Sequence, residues 1–176
     1  GQEKSGDQEK ISAQQKEEDS IARKKIQAIK IQKSPKIDGV LDEEVWKNAA
    51  IATNFFERAP NNGKPQHDSL KTEVKVLYDH TGIYIGAQLN DPNPSKILKE
   101  LTERDKIGND DLFGVSINGY NDKQMSLSFF VTAAGVQYDA KIANNANDDS
   151  SWNAVWFSAV KINDKGWAIE MKIPFS

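Results

Sequence analysis

The chain has 176 residues, of which 38% are apolar and 28% charged; Lys+Arg 23 stand against Asp+Glu 26, for a formal net charge of -3. That length accommodates one domain with a sizeable core rather than two, and the balance of charge gives no field that would gather a phosphate backbone, so no nucleic acid is expected as a partner. The lack of cysteine excludes disulfides and thiolate metal sites, and no apolar run is long enough to cross a bilayer as a helix.

From residue 1 to about residue 25 the chain is Gln, Glu, Lys, Asp and Ser, with Ile11 and Ile21 as its large apolar residues. Such a segment cannot bury enough surface to offset its ordering entropy, and it reads as a polar mobile leader before a domain spanning 26–176. Ile29 and Ile31 alternate with Lys30 and Gln32, which predicts a short strand ended by Pro35. Asp38-Gly39 is a turn signal. Asp42 is placed to cap a short helix with Glu43 and Glu44 in its first turn, and Val45, Trp46, Ala49 and Ala50 would face inward from it.

Beyond Asp68 the hydrophobic period becomes two and stays so. Val74, Val76 and Tyr78 alternate towards a turn at Thr81-Gly82, and Ile83, Ile85, Ala87 and Leu89 alternate back, which predicts a hairpin. Further rows are Phe113, Val115 and Ile117; Leu127, Phe129 and Val131; Val136, Tyr138, Ala140 and Ile142; Val155 and Phe157; and Trp167, Ile169, Met171 and Ile173. Seven or eight such strands predict an all-β, antiparallel β-sandwich, immunoglobulin- or jelly-roll-like, with one short helix near the N-terminus. An up-and-down barrel would show the same rhythm, and alternation alone does not separate the two.

The string Ile37-Asp38-Gly39-Val40-Leu41-Asp42, followed by Trp46 and Ala49, resembles the opening of the family 9-like carbohydrate-binding domains, which are DOMON-like β-sandwiches. The likeness continues through Tyr78-Asp79, Ile83 to Ala87, Asp91-Pro92, Arg104-Asp105, Asp110-Asp111, Gly135 to Asp139, Trp152, Trp156, Gly166-Trp167, Glu170 and Ile173-Pro174-Phe175. In this form it is similar to the subgroup that precedes an outer-membrane β-barrel. The resemblance implies a non-catalytic module that binds an oligo- or polysaccharide. It also implies a secreted protein, in the periplasm or on the outer-membrane surface of a Gram-negative bacterium, whose parent chain is linked to carbohydrate catabolism or glycoside hydrolysis.

Two departures from the family pattern stand out. Family members continue with further strands after the I-P-F segment, so the domain is expected to lack its last strands. In sugar-binding members, one of two clamping tryptophans falls near Gly108 or Asn109, and an acidic contact falls at Gly114; neither residue type is present there.

Sugars are held by aromatic faces stacked on the pyranose ring and by planar polar groups that take hydroxyls pairwise. Aromatic and polar residues on the parity opposite to the core rows are therefore candidates: Tyr84, Gln88, Ser126, Ser128, Phe130 and Trp156 are expected to share one open face. Arg104 would anchor a hydroxyl there and Trp152 would sit at the rim, while Trp46 and Trp167 fit core positions. The rival reading is a structural or docking domain whose same face packs on the C-terminal β-barrel and binds no sugar.

Arg104 stands among Asp105, Asp110 and Asp111, where it could equally brace a loop through a carboxylate pair. Related modules can carry calcium, which takes six to eight oxygens. Asp110, Asp111 and Asp139 are candidate ligands, with Asp79, Asp91, Asp148 and Asp149 as further oxygen donors in turns. No spacing singles out a catalytic carboxylate pair, and His67 and His80 lie in expected loops outside any nucleophile motif. Haem ligation by His80 with Met125 or Met171 is less economical than strand packing for those methionines.

Overall fold

The computed structural model describes residues 25–56, 63–99, 101, 103–106, 110–119, 124–143, 149 and 151–175. The polar leader, the positions near Gly108 and Asn109, and Asp148 lie outside the described residues. The strands are β1 (Ile29–Lys30), β2 (Thr72–Tyr78), β3 (Gly82–Asn90), β4 (Leu112–Ile117), β5 (Met125–Thr132), β6 (Gln137–Ala143), β7 (Phe157–Asn163) and β8 (Gly166–Pro174), and one helical turn, α1 (Glu44–Lys47), follows β1. They form a five-stranded sheet in the order β1-β2-β3-β8-β7 and a three-stranded sheet in the order β4-β5-β6. Only β1 and β2 pair in parallel; the other neighbours are antiparallel. Two separate sheets decide for the sandwich over the barrel.

The hairpin of β2 and β3 and the row of β8 follow the alternation read from the sequence. Ile85, Ala87, Ile169 and Met171 are buried on the inner face of the large sheet, packed with Phe129 and Val131 of β5 and with Trp156 and Trp167. Phe113, Val115 and Leu127 complete this core from the small sheet. Burying such a row removes apolar area from water, worth about 1.5–3 kcal/mol per large side chain before entropy is counted. β8 starts at Gly166, whose φ is +144° and where a Cβ would stand 2.0 Å from the carbonyl oxygen of Leu89. Any side chain there would separate β8 from β3.

Two predicted rows face the other way. Phe130 pairs with Tyr138, Ser128 with Ala140 and Ser126 with Ile142, so the β6 row of Tyr138, Ala140 and Ile142 lies with the outward residues of β5. The inward row of β6 is Gln137, Asp139 and Lys141, because that strand borders a polar seam rather than the core. Val155 and Phe157 are 82% and 51% exposed. The stretch 152–156 is not strand, β7 begins only at Phe157, and its pairing with β8 sets Ser158, Val160 and Ile162 inward instead.

The five-stranded sheet has a second core on its outer face. Ile31, Trp46, Ala49, Leu77 and Tyr84 are buried there, with Ile37, Leu41 and Val45 packed against them. α1 is the lid of this core. Its N-cap is Glu43 rather than Asp42, and that side chain makes no capping bond; the Glu43 carboxylate instead accepts the Lys36 N–H at 3.0 Å. Ala50 is exposed, since the single turn ends before it can face inward.

The two open sides of the sandwich differ. Along β6 and β7, Gln137 Nε2 donates to Ser158 Oγ at 2.8 Å, and Arg104 crosses from its loop to Asp139. Along β2 and β4 the sheets part around an apolar cleft of about 390 Å³ lined by Ile26, Phe55, Val74, Val76, Phe113 and Val115, among others.

Candidate functional site

The structure distributes the predicted site residues over three places. Tyr84 and Gln88 lie on the outer face of the large sheet. Tyr84 is fully buried beneath the N-terminal segment, its hydroxyl 2.8 Å from Asp79 Oδ2 and 3.0 Å from Ser34 Oγ, with Lys172 Nζ 5.4 Å from the ring centroid. Gln88 exchanges two hydrogen bonds with Asn163, at 3.3 and 2.8 Å. The expectation that these two share an open face with Phe130 is corrected: they sit on the other sheet, and Tyr84 is covered because the Trp46 segment needs that face.

That covering rests on one carboxylate. Glu170 is fully buried; its Oε2 accepts the backbone N–H groups of Asp38 and Gly39 at 2.8 Å each, and its Oε1 accepts Trp46 Nε1 at 2.9 Å. Burial pushes the Glu170 carboxyl above its ordinary value, against the three donors that favour the ionised form. Gly39 holds φ at +81° with its Cα against the Val160–Lys161 backbone, and Gly86 has no Cβ because Leu41 and Trp46 occupy that space. The Ile37-Asp38-Gly39 … Trp46 motif is therefore a structural strap. Asp79 ties its other end by accepting from Ser34, Thr81 and Tyr84; the Thr81 hydroxyl above all holds its carboxyl well below the usual carboxylate range.

Arg104, Trp152 and Trp156 belong to the β6/β7 seam. Arg104 donates to Gln137 Oε1 at 2.9 Å, Asp139 Oδ1 at 3.0 Å and the Ala154 carbonyl at 3.1 Å. Asp139 is fully buried, and its second oxygen accepts the Ala154 N–H at 2.6 Å. The guanidinium thus joins its own loop, β6 and the 152–156 segment, and the loop-brace reading describes it. Trp156 is only 5% exposed and stands edge-on to Phe129 with ring centroids 5.4 Å apart; Trp152 does the same at 6.0 Å and is half-buried. The expected stacking surface does not include Trp156, whose ring fills the end of the core once Val155 and Phe157 point outward.

The metal candidates have other partners. Asp139 is engaged as above, and Asp111 Oδ2 accepts the Leu98 N–H at 3.1 Å. Among the described residues no group of three or more His, Cys, Asp or Glu is placed to share an ion. His67 closes a short turn by accepting the Ser69 N–H at 3.2 Å.

The outer face of the three-stranded sheet carries Phe130, the remaining aromatic of the predicted stacking surface. Gly114 of β4, Phe130 of β5 and Tyr138 of β6 are direct cross-strand partners, so they form one row across the sheet. The Phe130 ring lies over Gly114, where a Cβ would be 2.1 Å from Cδ1, and its centroid is 5.8 Å from that of Tyr138 with a tilt of 52°. Beside it runs a row of small residues, Ser116, Ser128 and Ala140, with the two serine hydroxyls 2.7 Å apart. Phe130 and Tyr138 are half-buried, and Gly114, Ser116 and Leu112 are exposed. Of that row only Ser116 is exposed, while Ser128 and Ala140 are fully buried, so the half-buried aromatics Phe130 and Tyr138 stand beside a single accessible hydroxyl. The apolar cleft between β2 and β4 offers sugar hydroxyls almost no partner, and their desolvation there would cost free energy.

Phe130 was legible as an off-parity aromatic. Tyr138 was missed because its strand was assigned the opposite phase. A glycine inside an otherwise apolar strand was the available signal, since it marks a close approach by another group.

Two separate sheets, one with its outer face strapped by the N-terminal segment, define the class of β-sandwich modules. The chain belongs to the carbohydrate family 9 binding domain-like family, whose model matches residues 37–176. It is 28% identical over 142 residues to an endo-1,4-beta-xylanase C of Paenibacillus barcinonensis, a match that covers 80% of this chain and 12% of that enzyme's length. Among solved structures it is similar to a family 9 carbohydrate-binding module of Caldicellulosiruptor kristjanssonii in complex with cellotriose, with a TM-score of 0.57, 18% identity, and coverage of 85% of this chain and 68% of that one. The glucose complex of a module from the same organism gives the same score and identity, with 70% of its chain covered.

Proposed function

We propose that the domain is a non-catalytic module that binds a glycan on the outer face of the three-stranded sheet, with Phe130 and Tyr138 as stacking surface. The observation that carries this reading is the aromatic row over Gly114: the ring lies down on the sheet because no side chain stands beneath it, which turns an aromatic face towards the ligand. Family membership and the ligands of the solved relatives support it. The xylanase relative and the cellotriose complex make β-linked glycans the first ligands to try. We also take the module to be displayed on a Gram-negative envelope beside a C-terminal β-barrel, on the strength of the sequence resemblance.

Isothermal titration of the full chain with xylo- and cello-oligosaccharides tests the reading. Saturable heat is expected, lost in Phe130→Ala while the melting transition stays cooperative. No heat with any oligosaccharide would remove it and leave the docking role.

A further inference from the structure

We infer that two copies of this chain join edge to edge through β4, each supplying a fourth strand to the other's small sheet. The two sheets present four edges, at β1, β7, β4 and β6. Three are covered or guarded among the described residues. The β1 edge is a strand of two residues, and Val74 further along β2 exchanges backbone bonds of 2.8 and 2.9 Å with Ala52. On β6 the Gln137 carbonyl accepts the Asp105 N–H at 3.1 Å, and Lys141 exchanges two backbone bonds with Asp149. β7 carries Lys161, and the Gly39 strap packs against Val160 and Lys161. Short strands, coverings and charged side chains are how a sheet edge is kept from pairing with another chain. β4 has none of these: Leu112–Ile117 is six residues long, with no charge and no proline.

Register identifies the open backbone groups. The Ala133 N–H donates to the Asp111 carbonyl at 2.8 Å, so Phe113, Val115 and Ile117 turn their own N–H and C=O groups towards β5. Those of Leu112, Gly114 and Ser116 point away from the sheet, with no partner among the described residues. A second β4 running antiparallel meets all of them when Gly114 lies opposite Gly114 of the other copy, which sets Leu112 against Ser116 on both sides. This register is its own two-fold image, as a symmetric dimer demands. It brings no like charges together, because Asp111 and Asp110 fall beside Ile117 and Asn118 of the second copy, and the residue on the axis has no side chain to crowd it. The added strand also turns Phe113, Val115 and Ile117 inward, towards the apolar cleft lined by Val74, Val76, Phe113 and Val115. Its pattern of apolar inward and mostly small outward residues is the one this edge accepts.

Sedimentation equilibrium of the full chain, from micromolar to millimolar concentration, tests the pairing. A monomer–dimer equilibrium is expected. Leu112→Pro removes an N–H that no other described group uses, and Ser116→Lys adds an edge charge. Each should weaken association at least tenfold while the melt stays cooperative. The contact itself is read with Leu112→Cys/Ser116→Cys in a chain that otherwise has no cysteine. Within one strand the two thiols stand about 13 Å apart, beyond disulfide reach, so oxidation should yield a covalent dimer whose digest links position 112 of one copy to 116 of the other. A monomer at every concentration overturns the inference and leaves the β4 edge to a strand of different sequence. A dimer that neither variant weakens and that forms no such link overturns it as well, since its contact then lies elsewhere.

Discussion

The outward faces of the two sheets start from the same alternation and reach opposite states. On the five-stranded sheet the outward row carries Lys75, Tyr84, Gly86 and Glu170, and residues 31–49 lie across it. Its polar groups are committed to protein partners: Glu170 to Trp46, Asp38 and Gly39, and Lys75 Nζ to the Trp46 carbonyl at 2.9 Å. On the three-stranded sheet the outward row is small, neutral and aromatic, and Gly114 and Ser116 meet solvent. The contrast shows that a buried charge marks the face the fold has used for itself, whereas the outer row of the small sheet carries no charge and keeps a ring laid over glycine. Off-parity aromatics alone do not make that distinction, as Tyr84 and Phe130 demonstrate.

Breaking the strapped face should have the largest effect. Trp46→Ala empties the centre of the second core and is expected to cost about 3–5 kcal/mol in urea unfolding. Glu170→Gln keeps the shape but turns an amide N–H towards at least one donor, for a loss of about 1–3 kcal/mol. Equal stability of Glu170→Gln and wild type would show that the carboxylate does not hold the strap.

The same face should give the domain its pH profile. Asp79 is held below its ordinary value of 3.8, so its contribution is present above that pH and lost as pH falls through the lowered value. Glu170 has the opposite sign: its value is raised above 4.5, so its contribution is full below 4.5 and declines as pH rises through the raised value. Asp79→Asn should flatten the acid limb of melting temperature against pH, and an unchanged limb would assign that limb to other carboxylates.

The smallest effect on stability is expected at Gly114, on the outer row of the three-stranded sheet. Gly114→Ala forces the Phe130 ring off the sheet, at a cost of under about 1 kcal/mol because a half-buried ring can swing. Sugar affinity should fall more than stability does, as read by titration beside a melt. If affinity is unchanged, the ring's position over Gly114 is not what the ligand reads.

Much of the fold was legible because period-two rows report directly on which side of a strand is buried. The hairpin, β4, β5 and β8 follow from Val74 to Leu89, Phe113 to Val131 and Trp167 to Ile173. What failed was phase at two strands. Tyr138, Ala140 and Ile142 alternate as a core row does, yet a strand bordering a polar seam can turn its apolar residues outward, and only the pairing of Phe130 with Tyr138 reveals it. Trp156 was misplaced for the same reason, since an irregular segment before β7 shifts the register by one. For the site, sequence supplied Phe130, whereas Gly114 was read only as the place of a missing acidic contact and its position under the Phe130 ring came from the structure. It could not supply the partition of the aromatics between two sheets, which depends on strand order.

The tie between Glu170 and the strap also has a consequence for biosynthesis. Its partners Asp38, Gly39 and Trp46 leave the ribosome more than 120 residues before it does. At about 5–20 residues per second that interval is on the order of ten seconds. Throughout it the indole and the amides of the strap lack their acceptor, so the strap must wait for β8 before it can settle.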